Sequence, residues 1–262
     1  MSFETISLST DARGVTTLTL DREEKHNSLS ARMIEDLTVA ASQLGADDAV
    51  RVVVLTGAGE SFCAGGDLGW MREQFHADRN TRMAEARKLA MMLKSLNELP
   101  KPLIGRVQGQ AFGGGIGMMS VCDTVVTVDT AKFGLTEVRL GLIPATISPY
   151  VLARMGEGKA RRVFMSARLF DAEEAKELNL AAKIVSEADL DEAVEREVKP
   201  YLAAAPSAVA ASKALARSLG PAITDAIIED TIRRLADTWE TPEAQEGISA
   251  FFDKRKPDWT VR

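Results

Sequence analysis

Two glycine-rich stretches and one acid carry the chemistry this sequence offers. The first stretch is Phe62-Cys63-Ala64-Gly65-Gly66-Asp67-Leu68, and the second runs from Gly109 through Gly113-Gly114-Gly115 to Gly117. Glycine has no Cβ, so a ligand can approach the backbone N–H groups closely. Two such N–H groups from separate loops can converge on one oxygen and stabilise negative charge growing there. The second stretch also opens a helix, whose N-terminal dipole favours that charge. Plain turn geometry is the competing reading of both. The acid is Glu137, inside the apolar run Phe133-Gly134-Leu135-Thr136-Glu137-Val138-Arg139-Leu140-Gly141-Leu142-Ile143-Pro144. A carboxyl in such surroundings is expected to titrate high and to suit proton transfer. An ion pair with Arg139, or a solvated surface position, is the alternative.

Other classes fit less well. No phosphate-loop Gly-Lys-Ser/Thr is present, and Gly113-Gly114-Gly115-Ile116-Gly117 matches a dinucleotide loop poorly. A formal charge of −6 disfavours nucleic acid as a partner, since a binder would show a basic face. Two cysteines, Cys63 and Cys122, with His26 and His76, make neither a disulfide framework nor a metal site by themselves, so no metal is expected. Free thiols suit a reducing, cytoplasmic setting. The start, Met1-Ser2-Phe3-Glu4, shows no basic region followed by an apolar one, so no secretory leader is expected. No apolar run approaches the ~18 residues that span a bilayer, so no membrane partner is expected.

The elements that must position these residues alternate along the first half of the 262 residues. Val15 to Leu20 alternates at period two and is predicted as a strand. Ser30 to Leu44 places Met33, Ile34, Leu37, Ala41 and Leu44 on one face of a helix capped by Ser30. Arg51 to Thr56 is apolar on both faces, as in a strand covered on both sides. Thr81 to Leu99 is a second long helix stopped by Pro100 and Pro102. Leu103–Val107 and Thr124–Val128 are further strands, with a helix over Gly113–Cys122 between them. This order predicts an α/β protein built of βαβ units around a mostly parallel sheet. From Ala160 to Phe252 the pattern is almost all helical, apart from a strand at Lys183-Ile184-Val185. A soft boundary near Ser186–Asp191 divides the chain into residues 1–187 and a helical region, 188–262.

Five ordered stretches, covering nearly the whole chain, resemble the crotonase family, the enoyl-CoA hydratase/isomerase superfamily. Asp21-Arg22-Glu23-Glu24-Lys25-His26-Asn27-Ser28-Leu29 looks like the family's N-R-P-E-K-x-N-A-L. The two glycine stretches, with Cys122-Asp123, and the Phe133–Pro144 run follow. Ser249-Ala250-Phe251-Phe252-Asp253-Lys254-Arg255-Lys256-Pro257 looks like its closing F-x-x-K-R-x-P. The resemblance implies a crotonase-like ββα-spiral core with a C-terminal helical layer. It implies an acyl-CoA thioester substrate, with coenzyme A as part of that substrate and no separate cofactor. The oxyanion donors would be Gly66 and Gly114, with Ala64, Asp67 and Leu68 around the first of them. Arg22, Lys25, His26 and Lys254 match residues that meet CoA, although Lys254-Arg255-Lys256 also reads as a solvated basic tail. A homotrimer or dimer of trimers is implied, with the apolar helices after Pro206 as the interface.

The departure from the family is at Gly117. The hydratases carry a glutamate there and a second at the position of Glu137, and the pair activates water. One carboxylate alone moves a single proton, which is all an isomerase needs. Glu137 could instead serve as both base and acid, or a loop acid (Asp67, Glu73 or Asp78) could replace the missing one. The run from Thr136 to Tyr150 looks like the methylglutaconyl-CoA hydratase branch, whose substrates carry a second carboxylate that Arg139 or Arg154 could pair with. Three activities follow as expectations: hydration of a 2-enoyl-CoA, branched or dicarboxylic; double-bond isomerisation from the 3,4 to the 2,3 position; or non-catalytic binding of CoA or RNA.

Overall fold

The computed structural model describes residues 3–261. The opening Met1-Ser2 of the stretch read for a leader therefore lies outside the described residues. In chain order the elements are β1 (Ile6–Thr10), β2 (Val15–Leu20), α1 (Ala31–Ala46), β3 (Val52–Gly57), α2 (Leu68–His76), α3 (Arg79–Glu98), β4 (Leu103–Val107), β5 (Ala111–Phe112) and α4 (Gly114–Val121). They continue with β6 (Thr124–Val128), β7 (Lys132–Gly134), α5 (Ser148–Met155), α6 (Glu157–Phe164), β8 (Leu169–Asp171), α7 (Ala172–Glu177), β9 (Lys183–Val185), α8 (Leu190–Leu202), α9 (Pro206–Leu219), α10 (Asp225–Trp239) and α11 (Pro242–Phe252).

Six strands form one sheet in the order β1-β2-β3-β4-β6-β9, and β5-β7-β8 form a second, three-stranded sheet. In the large sheet only the β1–β2 pair is antiparallel. The two central strands, β3 and β4, are covered on both faces, and of β4 only Arg106 is not fully buried. Every residue of β3 is buried. α1 lays Met33, Ile34, Leu37 and Leu44 into the core, and Ser30 caps it by accepting the Met33 N–H. α3 starts two residues before the predicted Thr81 because Asp78 caps it, accepting the Thr81 N–H. β8 interrupts the stretch read as helical after Ala160; it is three residues long and has a single buried side chain, too short to show a period.

The first helix after residue 187 packs on the sheet, as Leu190, Ala193, Val194 and Val198 of α8 belong to the main core. α10 packs Ile228 and Ile232 against Ala86 and Ala90 of α3. Trp239 then joins Leu142, Ala244 and Ile248 in a smaller cluster that includes α11. Among the described residues no helix is long and apolar enough to cross a membrane.

Candidate active site

The two glycine stretches are stitched together by the small sheet and its neighbours. Cys63 donates its N–H to the Gln110 carbonyl (3.1 Å) and accepts from the Phe112 N–H (3.0 Å). Gly65 sits at φ +94°, and a Cβ there would lie 3.1 Å from the Phe112 carbonyl oxygen. Gly113, at φ +46°, donates to the Gly134 carbonyl (3.0 Å), which ties the second stretch to β7. Leu29 holds both loops at once. Its N–H donates to Gly65 (2.7 Å), its carbonyl accepts from Asp67 (3.0 Å), and its Cδ1 lies 2.6 Å from where a Gly114 Cβ would be.

Gly66 and Gly114 thus flank one leucine, and both line a cavity of about 480 Å³. Among the described residues neither N–H has a protein acceptor. For Gly114 the reason is its place in the first turn of α4, where no intrahelical acceptor exists. For Gly66 it is the alternation of the bridge to Leu29, which engages the residues on either side of it. Two unpaired donors, one at a helix N-terminus, can hold a developing oxyanion.

Glu137 opens a short 3-10 turn, Glu137–Leu140, that Gly141 closes in the left-handed region. Its carboxyl lies against the second glycine stretch: Oε1 is 2.9 Å from where a Gly113 Cβ would be. The residue is half-buried, but Oε2 is enclosed and has no hydrogen-bond partner. Burial pushes its pKa up to about 7, opposed only in part by a hydrogen bond from its own N–H. No charged neighbour shifts it, so the alternative of an Arg139 ion pair is not what the structure contains. A carboxyl poised near neutrality can both take and return a proton.

Ala64 and Leu68 also line the cavity, whereas Asp67, Arg22, Lys25, His26 and Lys254 do not. Asp67 caps α2, accepting N–H bonds from Gly69 and Trp70, and pairs with Arg22 at 2.9 Å. Burial alone would raise its pKa, but these partners outweigh that and hold it low. Arg22 spends its remaining reach on the Ser28 carbonyl (2.7 Å). Lys25 is exposed on the turn Glu23–Lys25, and the His26 ring shares a hydrogen bond with the Ser61 hydroxyl (3.0 Å). Lys254 is exposed, three residues beyond Phe251, which does line the cavity.

The site holds a single carboxyl. Among the described residues Glu137 is the one acid lining the cavity; Glu73 and Asp78 face away on α2 and at the start of α3. Ile147 closes the Gly117 position: a Cβ at Gly117 would lie 2.5 Å from Ile147 Cγ2. Arg154 is tied to the Ser120 carbonyl (2.9 Å) and does not reach the cavity, but Arg139 does. Cavity-wall residues not singled out from sequence include Gln74, Arg82, Thr146, Ile147 and Trp239. Their signal is weak because they come from four separate segments that only the fold brings together. No group of three or more His, Cys, Asp or Glu side chains capable of holding a metal occurs among the described residues.

The sequence pattern of the enoyl-CoA hydratase/isomerase family matches residues 10–262. A putative enoyl-CoA hydratase of Thermus thermophilus is 33% identical, over 91% of this chain and 94% of its own. A probable enoyl-CoA hydratase of Mycobacterium bovis is 31% identical over the whole of both chains. The crystal structure of an enoyl-CoA hydratase from Shewanella pealeana superposes with a TM-score of 0.81 at 37% identity, covering 98% of this chain and 96% of that one.

Proposed function

The chain belongs to the enoyl-CoA hydratase/isomerase family, and from that premise we propose that it adds water to the double bond of a 2-enoyl-CoA thioester. The observation that carries the reading is that Gly66 and Gly114, whose N–H groups have no acceptor among the described residues, line one cavity with Glu137, whose Oε2 is enclosed and unpartnered. The thioester oxygen accepts from both amides. Ionised Glu137 takes a proton from water as the water oxygen bonds C3. The π electrons move onto the thioester oxygen as an enolate. The protonated Glu137 then returns that proton to C2 and is ionised again. Water is consumed, the carboxylate is regenerated, and no cofactor enters; coenzyme A is part of the substrate. Each amide is worth ~3–4 kcal/mol of barrier in sites of this kind.

A specific observation favours isomerisation as the second reading. Ile147 fills the space where a second carboxylate would hold water. With one carboxyl, Glu137 would take a proton from C2 of a 3-enoyl thioester and deliver it to C4. Mixing the protein with a 2-enoyl-CoA decides between them. Hydration removes the conjugated chromophore, so its ultraviolet absorbance falls. Unchanged absorbance, with 3-enoyl-CoA converted, establishes the isomerase instead; no change in either ester leaves a binding protein.

For the acyl group we carry forward a branched chain; a dicarboxylic one would need its second carboxylate to pair with Arg139, which lines the cavity and has no acidic partner among the described residues, and the carboxylated esters below test that alternative. Arg22, Lys25, His26 and Lys254 lie outside the cavity, where the nucleotide end of CoA would run. Self-association is supported by α9, which buries none of its own residues; trimers are what the family resemblance implies.

A further inference from the structure

Gln74 is a buried polar residue of the cavity wall that the reaction does not use. It projects from α2 nearly two turns beyond Leu68, roughly 9 Å along the helix. Only 6% of the residue is exposed, it lines the cavity, and its Oε1 is enclosed without a hydrogen-bond partner. A buried amide oxygen left unpaired costs about 1–3 kcal/mol, which a well-packed apolar wall would avoid. Ala86, Leu89 and Leu235 contribute apolar surface to the same cavity.

Arg82 supports the same corner. Its Nε and Nη2 donate to the carbonyls of Gln74 (2.8 Å) and Phe75 (3.0 Å), so it secures the end of α2 that carries Gln74. Its guanidinium lies 5.4 Å from the Trp239 ring centroid. Among the described residues no carboxylate pairs with it within ion-pair distance, although Asp78 feels its charge weakly.

Resting on the acyl-CoA reading, we propose that Gln74 determines acyl specificity by binding an uncharged, hydrogen-bonding oxygen, a hydroxyl, near the far end of the acyl chain. A hydroxyl donates to Gln74 Oε1 and still accepts from a cation such as Arg82. A carboxylate cannot donate to Oε1, and a hydrocarbon leaves that oxygen unpaired. Sites built to hydrogen-bond a hydroxyl reject the analogue lacking it far more strongly than apolar pockets reject an added methylene.

Calorimetric titration with saturated acyl-CoA thioesters, from butanoyl to dodecanoyl, tests this. Each is compared with its terminally hydroxylated and terminally carboxylated counterpart. At one chain length the hydroxylated ester should bind wild type about tenfold more tightly than the hydrocarbon, the worth of one hydrogen bond. In Gln74→Leu the order should invert, and Gln74→Met provides the same comparison if the leucine variant fails to fold. The proposal is overturned if the hydrocarbon binds wild type as tightly at every length, if the hydroxyl preference survives both substitutions, or if the carboxylated ester binds best. Saturated thioesters cannot be hydrated, so a failure here leaves the hydration reading standing, and a failure of hydration leaves this readout intact.

Discussion

A carboxyl enclosed beside Gly113, with nothing bonded to Oε2, holds its proton more tightly than one in water. Glu137 must be ionised to take a proton from water, so kcat/KM for hydration should fall as pH drops through about 7. Stability moves the other way. Between the ordinary value of 4.5 and about 7 the folded chain keeps a proton that the unfolded chain has lost. Folding is therefore favoured below that window and loses up to about 3 kcal/mol as pH rises through it. Glu137→Gln should lower kcat by ~10²–10⁴-fold and raise the melting temperature at pH 8, read by calorimetry. Full activity in that variant would remove the assigned role. The glycines separate into two kinds. A Cβ at Gly66 would meet Met71 Cγ at an ordinary 3.6 Å and leave the N–H in place, so Gly66→Ala should keep most of its activity. A Cβ at Gly113 would lie 2.9 Å from Glu137 Oε1 at φ +46°. Gly113→Ala should cost about 1–2 kcal/mol of backbone strain and displace the carboxyl, lowering kcat with the fold retained in circular dichroism. Equal kcat values for the two variants would contradict this division.

At the level of elements, the site is set by what α4 touches. Gly117 is buried in that helix against Ile147, which lies just before α5. Gly117→Glu alone should destabilise by about 1–3 kcal/mol through overpacking, with the buried charge adding to it. Adding Ile147→Ala should recover part of that loss and raise hydration above Ile147→Ala alone. A Gly117→Glu protein as stable as wild type in urea would show that Ile147 is not the obstacle. The glycine loops and Glu137 were legible because small residues and a lone acid stand out in an apolar chain. Ile147 was not legible as an obstacle, since an isoleucine thirty positions away says nothing about which helix it meets. The same limit applies to the elements themselves. β2 and β3 were legible because their apolar residues are buried by the sheet and its helices. β1 was not, since only Ile6 of its five residues is buried and its alternation has no amplitude. α2 was missed because its Leu68, Trp70 and Met71 line the cavity while Gln74 alone is buried, which inverts the usual amphipathic pattern.

For the whole molecule, the unresolved economy is that of α9. One side is held down: Lys213 donates to the Lys101 carbonyl (3.0 Å) and pairs with Asp123 (2.7 Å), and Arg217 pairs with Glu98 (2.8 Å). The helix nonetheless buries no residue, and Leu215 and Leu219 are 60% and 80% exposed. An amphipathic helix draws its stability chiefly from packing its apolar face, so a fourteen-residue helix with none buried needs a further surface. A second copy of the chain supplies one without any new partner, and a closed ring of copies leaves no apolar face open. Sedimentation of the wild type should therefore give a multiple of the 28.3 kDa chain, three or six in the family reading. Leu215→Asp with Leu219→Asp should reduce that mass while leaving the circular dichroism of the monomer intact, because neither side chain is packed within its own chain. A wild type that sediments as one chain, or a double variant of undiminished mass, would assign the exposed leucines to something other than self-association.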